Sequence, residues 1–288
     1  MKDIKLTGLS HEEWLQERRN GIGGSDISAI MKQSPWNTPL SVYLDKIGES
    51  EPIEDNDAMK AGRMLEGAVA DWFIAENPEY TARKDDYMRR HPNIPFMLAN
   101  SDRVLMDTDG NKGILEIKTT SSFYSRTWTE EIAYQYYLQL QFYLAVYGYS
   151  YGYIALLIDG RDFRTFYYNR DENVINEIET ACKDFWNNHV LKKIPPEPMS
   201  PADLNALYPT PEPLSTKEMD VIDRMNVDGY NEAKRDESEA KSRKEKFAFE
   251  LKKSLGKIES MVDNGCTVAT LKANSKGTRV LNVKSEEI

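Results

Sequence analysis

Asp102, Glu116 and Lys118 are the side chains of this sequence whose types and spacing could do chemistry together. They fall in the stretch 100–120, NSDRVLMDTDGNKGILEIKTT, which reads as a β-hairpin. The first strand is expected to run through Asp102 (PFMLANSD, then RVLM). The turn is expected at Asp107-Thr108-Asp109-Gly110, a cluster that tolerates positive φ and starts tight turns. The second strand covers 114–118. Side chains alternate along a strand, so Glu116 and Lys118 share one face while Leu115 and Ile117 point into a core on the other. Two carboxylates converging from the two strands offer hard oxygens to a Mg²⁺ ion, and a lysine beside them can position or deprotonate a water. Alone, an E-x-K on an amphipathic strand is more often a solvated face, so the rest of the chain has to decide.

The elements around this hairpin must position it. Ser10 with Glu13 is a capping box, so a helix is expected from His11. Gly21, Gly23 and Gly24 then break the chain, and Ser25 or Asp26 caps a second short helix. A glycine-rich turn feeding a helix N-terminus presents N–H groups to a phosphate. Arg18 and Arg19 stand just before it. A plain helical corner with solvated arginines is an equal reading. A helix over 58–76 has Met64, Leu65, Ala68, Val69, Trp72 and Phe73 at helical spacing as its buried face, with Glu66 beside that stripe, where a surface acid is the ordinary case. A long aromatic helix is expected from near Glu130. Gln135 and Gln139 share one of its sides, and Gln141 also interrupts its apolar surface. A glutamine buried there needs a partner: a metal-bound water, a phosphate or a backbone carbonyl. Strands over 151–158 and 161–169 follow, joined at Asp159-Gly160, then an amphipathic helix carrying Ile175, Ile178, Cys182 and Phe185 on one face.

The 288 residues, 40% hydrophobic and 29% charged, suit one large domain with an appendage. The expected organisation is a domain over 1–195, a proline-rich linker over 196–216, extended and stiff, and an arm over 217–288. The arm reads as one or two charged helices ending in a β-hairpin around Asn274–Gly277. No apolar run approaches the roughly 20 residues of a membrane span, and the N-terminus has no signal-peptide core, so a cytoplasmic protein is expected. Cys182 and Cys266 have neither metal spacing nor a disulfide framework. His11, His91 and His189 have no serine or cysteine motif beside them, which speaks against triad chemistry. The net charge of −10 argues against a non-specific coat for nucleic acid, though it allows a local basic groove.

The D-x13-E-x-K spacing resembles the PD-(D/E)xK nucleases, with Ser101 where a proline usually precedes the first acid. Further motifs accompany it in order: the arginine–glycine corner followed by Gly-Ser, G-R-x-x-E-G on a helix, S-D, E-I-K, and Q-L-Q on the aromatic helix. In this order, over about residues 9–195, the chain resembles the phage lambda exonuclease family, also called YqaJ-type viral recombinases. The resemblance implies an α/β (α+β) fold, a restriction-endonuclease-like mixed central sheet flanked by helices. It implies Mg²⁺-dependent 5′→3′ digestion of one strand from a linear duplex end, leaving 3′ single strands for recombination by strand annealing. Asp102 and Glu116 match the metal carboxylates and the Ile117 carbonyl the main-chain ligand. Lys118 matches the lysine that activates or orients water, Glu66 the helix acid that joins the metals, and Gln139 the glutamine on the nucleophile side. Arg19 and Ser25 match the pair that grips the terminal 5′ phosphate, at a corner one residue tighter than in the lambda enzyme. A further upstream aspartate of that enzyme has no match, its position falling near Pro92. Two Mg²⁺ ions per site, with Mn²⁺ able to substitute, a homotrimer around DNA, a phage single-strand annealing protein as partner and a bacterial host are further implications. The rival readings are a PD-(D/E)xK endonuclease of repair or restriction, and a non-catalytic DNA-end-binding module.

Overall fold

The computed structural model describes residues 2–50, 55–125, 128 and 131–284. The chain forms two compact units, Met1–Thr210 and Pro211–Ile288.

The first unit begins with β1 (Ile4–Lys5), α1 (His11–Arg19), β2 (Ile22–Gly23), α2 (Gly24–Ile30), α3 (Pro39–Ile47) and α4 (Asp57–Glu76). Ser10 and Glu13 close the expected capping box on α1. The second helix starts earlier than expected. Gly23 is its N-cap, and Asp26, three residues in, accepts the Gly23 N–H at 2.8 Å. Strands β3 (Thr81–Arg83), β4 (Tyr87–Arg90), β5 (Met97–Ala99), β6 (Arg103–Met106) and β7 (Lys112–Thr120) come next. Then follow α5 (Tyr134–Tyr147), β8 (Tyr151–Ile158), β9 (Asp162–Asn169), α6 (Glu172–Asp184), which continues with π-helical geometry over Phe185–Val190, and α7 (Pro201–Leu207).

The central sheet has the order β3-β6-β7-β8-β9. Only β7 and β8 run parallel in it; the other neighbours are antiparallel. A parallel pair needs a crossover, and α5 is that crossover. A second sheet, β1-β4-β5-β2, lies beside it in the same unit. Helices cover both faces of the central sheet. Ile114, Ile154 and Leu156 join Leu138, Phe142 and Leu144 of α5 in the larger core. Leu115, Ile117, Ala155 and Leu157 join Val69 and Phe73 of α4 in the smaller one. Strands buried on both faces need apolar residues at nearly every position, which is how β8 (YGYIALLI) reads, whereas β7 (KGILEIKTT) is apolar only at Ile114, Leu115 and Ile117 and carries Glu116 and Lys118 among them. Each fully buried large apolar side chain contributes about 1.5–3 kcal/mol.

Several expected features differ. The strand drawn through Asp102 is two strands in two sheets: β5 stops at Ala99, β6 starts at Arg103, and Asp102 sits in the break. The aromatic helix starts at Tyr134, and Glu130 lies outside the described residues, as does 51–54 of the acidic segment. The buried face of α4 is narrower than its periodicity suggests: Val69, Ala70 and Phe73 are buried, whereas Met64 and Trp72 are exposed. Trp72 finds its contact at the surface, stacked on Phe163. The expected linker 196–216 is not all extended. Within it α7 folds onto the first unit, where Asp203 is buried and accepts a hydrogen bond from Thr38 Oγ1 at 2.7 Å.

In the second unit the one or two expected charged helices are one, the 35-residue α8 (Val221–Leu255). It leads into an antiparallel sheet of β10 (Ser260–Asp263), β11 (Cys266–Ala273) and β12 (Arg279–Val283). The hairpin at Asn274–Gly277 is present, and β10 adds a third strand.

One close approach ties α2 to α5. A Cβ on Gly24 would lie 2.4 Å from the Tyr143 ring. Gly24→Ala is therefore expected to destabilise the unit by about 1–3 kcal/mol through overpacking. Gly67→Ala, on α4 with nothing within 4 Å of the new Cβ, is the matched control and should stabilise by about 0.5–1 kcal/mol. Thermal melts of both variants check the pair of signs.

Candidate active site

The chain passes from the second sheet to the central one through 100–102. The β6–β7 ladder ends at the Arg103–Leu115 pair, and beyond it the Asp102 side chain takes over: Ile117 N–H donates to Asp102 Oδ2 at 2.7 Å. This fixes the Asp102 carboxylate against the backbone N–H of Ile117, the residue whose carbonyl is the implied ligand. Glu116 lies on the α5 side of β7 and is 3% exposed. Its Oε1 accepts from Lys118 Nζ at 2.8 Å and from Gln139 Nε2 at 2.7 Å. Its Oε2 is buried with no hydrogen-bond partner among the described residues. The Lys118 ammonium also sits over the Tyr136 ring, 5.1 Å from its centre. Gln139 Nε2 donates in addition to the Tyr143 hydroxyl at 3.1 Å. Asp102, Glu116, Lys118 and Gln139 are thus gathered at one place.

The electrostatics follow from burial of like charges. Burial, then the negative charge of Glu116, pushes Asp102 up to about 8, against the pull of Lys118 and the Ile117 N–H. Burial pushes Glu116 up as well, although Lys118 opposes it. For Lys118, burial acts to lower the ammonium, but Glu116 and Asp102 outweigh it and hold it above its ordinary value. Lys118 is therefore a firm cation in this arrangement.

Glu66 lies near enough for its charge to act on Asp102 and Glu116, and it has a basic partner of its own. Its carboxylate is ion-paired with the Arg103 guanidinium, which also donates to the Asp102 backbone carbonyl at 2.6 Å. Its charge reaches both Asp102 and Glu116, but no cluster of three or more acidic, histidine or cysteine side chains suited to a metal forms among the described residues. An arginine directly after the first acid competes for the helix acid, and the motif spacing carries no sign of that. Gln141 takes the backbone alternative: its amide donates to the Asn169 carbonyl and accepts from Asp171 N–H.

At the basic corner the serine is met by the arginine next to the one named from the resemblance. Arg18, not Arg19, reaches Ser25, with Nη2 donating to Oγ at 2.7 Å. Arg18 also lies over the Trp14 ring and 3.8 Å from Asp26. Arg19 turns away to Asp45, at 3.3 Å. Successive residues on a helix point about 100° apart, so a corner one residue tighter presents the neighbouring arginine. Beneath Arg18, the buried Lys46 ammonium bonds Asp26 at 2.7 Å. Lys46 carries no motif and was not legible as part of the corner. Tyr143 joins corner to site, since its ring packs on Gly24 and its hydroxyl meets Gln139.

Asp102, Glu116, Lys118, Gln139, Glu66, Arg18, Arg19 and Ser25 all fall within 13–150, the stretch that matches the model of the YqaJ-like viral recombinase domain. That stretch is similar to a YqaJ-like viral recombinase domain. The uncharacterized protein YqaJ of Bacillus subtilis (strain 168) is 41% identical over 192 residues, covering 65% of this chain and 59% of its own length. The chain thus spans about three fifths of the curated relative it matches. Among solved structures, LHK-Exo in complex with dAMP superposes with a TM-score of 0.53 at 22% identity, over 63% of this chain and 93% of its own. A second structure of this alkaline exonuclease, from Laribacter hongkongensis, gives 0.51 at the same identity and coverage. The shared fold is the restriction-endonuclease-like mixed sheet flanked by helices. No helix among the described residues is long and apolar enough to cross a membrane.

The raised Asp102 carries a stability cost with a definite pH dependence. Between its ordinary value of 3.8 and about 8, the folded YqaJ-like domain holds a proton on Asp102 that the unfolded chain has released. Stability from this group is full at low pH and falls as pH rises through that window. In EDTA, Asp102→Asn should leave the melting temperature near wild type at pH 4–5. At pH 9 it should raise it by about 2–4 °C, the shift about 1 kcal/mol makes in a unit of this size. Melts across pH check the sign.

Proposed function

We propose that this chain is a metal-dependent deoxyribonuclease that digests one strand of linear duplex DNA from its 5′ end, leaving 3′ single strands for strand annealing. The observation that carries the reading is the buried Glu116 carboxylate, with one oxygen held by Lys118 and Gln139 and the other without a hydrogen-bond partner among the described residues, its charge felt by Asp102, inside a stretch similar to a YqaJ-like viral recombinase domain. A buried anionic oxygen without a donor is costly, and a divalent cation is the partner that suits it. Asp102, Glu116 and the Ile117 carbonyl would hold Mg²⁺, with Mn²⁺ able to replace it. When bound, the ion supplies Lewis-acid stabilisation of negative charge on the scissile phosphate and lowers the pKa of a bound water. Two ions would need Glu66 to leave Arg103; the carboxylates gathered here support one.

The protein's own groups do the rest. Lys118, a cation fixed against Glu116, orients a water and balances charge that builds on the phosphate oxygens. Gln139 holds Glu116 in place from α5. Arg18, with Ser25 beside it, receives the terminal 5′ phosphate in the role first given to Arg19, and this contact sets polarity. Arg18 must exchange part of its bonding to Ser25 and Asp26 for the phosphate. Its place over Trp14 keeps the guanidinium oriented while it does so. A homotrimer, a single-strand annealing partner and a cytoplasmic location in a bacterial host belong to the same proposal, supported by the family.

The test is digestion of linear duplexes bearing 5′-phosphate or 5′-hydroxyl ends, with Mg²⁺ or EDTA, reading which strand is lost. The expected result is Mg²⁺-dependent loss of the 5′-phosphorylated strand, with closed circular DNA left intact. Asp102→Ala should lower the rate by roughly 10²–10³-fold, as for removal of a preorganised electrostatic contact. Arg18→Ala should abolish the preference for phosphorylated ends, while Arg19→Ala keeps it. Cutting of closed circles, or full activity in Asp102→Ala, overturns the reading.

A further inference from the structure

The break that presents Asp102 is held from a direction the motif does not announce. Between Ala99, where β5 ends, and Arg103, where β6 begins, 100–102 lie outside either strand. Backbone groups there must be satisfied some other way. Ser101 is 2% exposed, and both its N–H and its Oγ meet the Tyr147 hydroxyl, each at 3.3 Å. The Asp85 carboxylate faces the same hydroxyl. Asp85 is itself buried and clamped by the Arg89 guanidinium at 2.7 and 2.8 Å. The hydroxyl therefore accepts from Ser101, with the Asp85 carboxylate close enough for its charge to act on it. One residue on, Arg103 holds the Asp102 carbonyl and the Ile117 N–H holds its carboxylate.

Tyr147 belongs to α5, the helix that also supplies Gln139. Gln139, Tyr143 and Tyr147 are spaced four apart, so they form one stripe along the helix. The stripe spans about 12 Å at the α-helical rise. One end of it holds Glu116 through Gln139, and the other holds Ser101 through Tyr147. The two carboxylates are thus gauged against one rigid rod, although one comes from β7 and the other from the break between β5 and β6.

We propose that Tyr147 is a positioning residue for Asp102: by anchoring Ser101 to the end of α5, it sets the separation of Asp102 from Glu116. This rests on the metal-dependent reading above. It also accounts for Ser101 where the superfamily usually has proline. A proline has no N–H to satisfy, and its Cδ would occupy the space toward the Tyr147 hydroxyl. Serine and the tyrosine hydroxyl are a matched pair, and so would be proline and phenylalanine.

The test is a double-mutant cycle on the full chain with Tyr147→Phe, Ser101→Pro and both together, reading Mn²⁺ binding by titration calorimetry alongside DNA digestion. Tyr147→Phe is expected to weaken Mn²⁺ binding roughly 10-fold, the low end for losing a group that orients a metal ligand. The metal concentration at half-maximal digestion should shift by the same factor, with kcat lowered and KM for DNA ends unchanged. Ser101→Pro alone should weaken Mn²⁺ binding similarly, by crowding the hydroxyl, and the double variant should recover most of the loss. Tyr147→Phe that lowers the melting temperature but leaves Mn²⁺ affinity unchanged overturns the proposal, as do additive single effects. Should Tyr147→Phe fold poorly, Asp85→Asn removes the charge that orients the hydroxyl. It should weaken Mn²⁺ binding in the same direction, and no change overturns the proposal. The two readings fail separately. Mn²⁺ binding that follows the cycle without any digestion removes the nuclease and keeps the positioning role. Digestion with Mn²⁺ affinity indifferent to Tyr147 does the reverse, and a wild-type chain that binds no Mn²⁺ ends both.

Discussion

A carboxylate inside a strand that is buried on both faces is the constraint on which this unit turns. β7 is flanked by strands on both sides and covered by α5 on one face and α4 on the other. An ionised group there loses its water, and only direct partners can replace it. Lys118 and Gln139 supply two bonds to one oxygen of Glu116, and nothing among the described residues supplies the other. Breaking such a buried pair from one side leaves an uncompensated charge, so Lys118 and Glu116 are locked to one another. The position of α5 follows, because Gln139 has to come within hydrogen-bond reach of β7. The site is therefore a place where stability is given up locally, and the surrounding core of Ile114, Phe142, Leu156 and their neighbours offsets it.

The same economy of partners shapes the cations. In a chain of net charge −10, the basic groups near the site among the described residues are already engaged: Arg103 with Glu66, Lys118 with Glu116, and Arg18 and Lys46 with Asp26. Pairing fixes their geometry before any anion arrives. It also weakens their field at a distance, so recognition has to come from close contact rather than long-range steering. The corner and the carboxylates are not independent, because Tyr143 touches Gly24 on one side and Gln139 on the other. A shift of α2 against α5 would be felt at Glu116.

The second unit obeys simpler rules. Asp220 and Asp223 form a capping box at the start of α8, and the helix then runs for 35 residues with almost no buried side chain of its own. Thin apolar spacing was legible in the sequence, and it correctly excluded a large core there. The number of helices was not legible, because the polar middle of α8 has no proline to stop it and Gly229 alone does not end a helix. The third strand, β10, was missed for the opposite reason. Four residues of ordinary composition carry no periodicity until a neighbouring strand gives them a register.

What the sequence by itself determined were the properties set by neighbours along the chain. The capping box at Ser10 and Glu13, the turns at Asp107–Gly110 and Asp159–Gly160, the strands β7 to β9, and the sharing of one face by Glu116 and Lys118 all follow from local spacing. Gln139 against the E-x-K strand, and the family itself, were legible through ordered motifs. Tertiary structure alone decided the contacts between residues far apart in sequence. Arg103 captures Glu66, Arg18 rather than Arg19 meets Ser25, Lys46 fills the space beneath the corner, and the Asp102 strand is split between two sheets. The physical reason is competition. Each polar group has several candidate partners of suitable chemistry, and spacing along the chain cannot rank them. Distance and burial in the folded unit can.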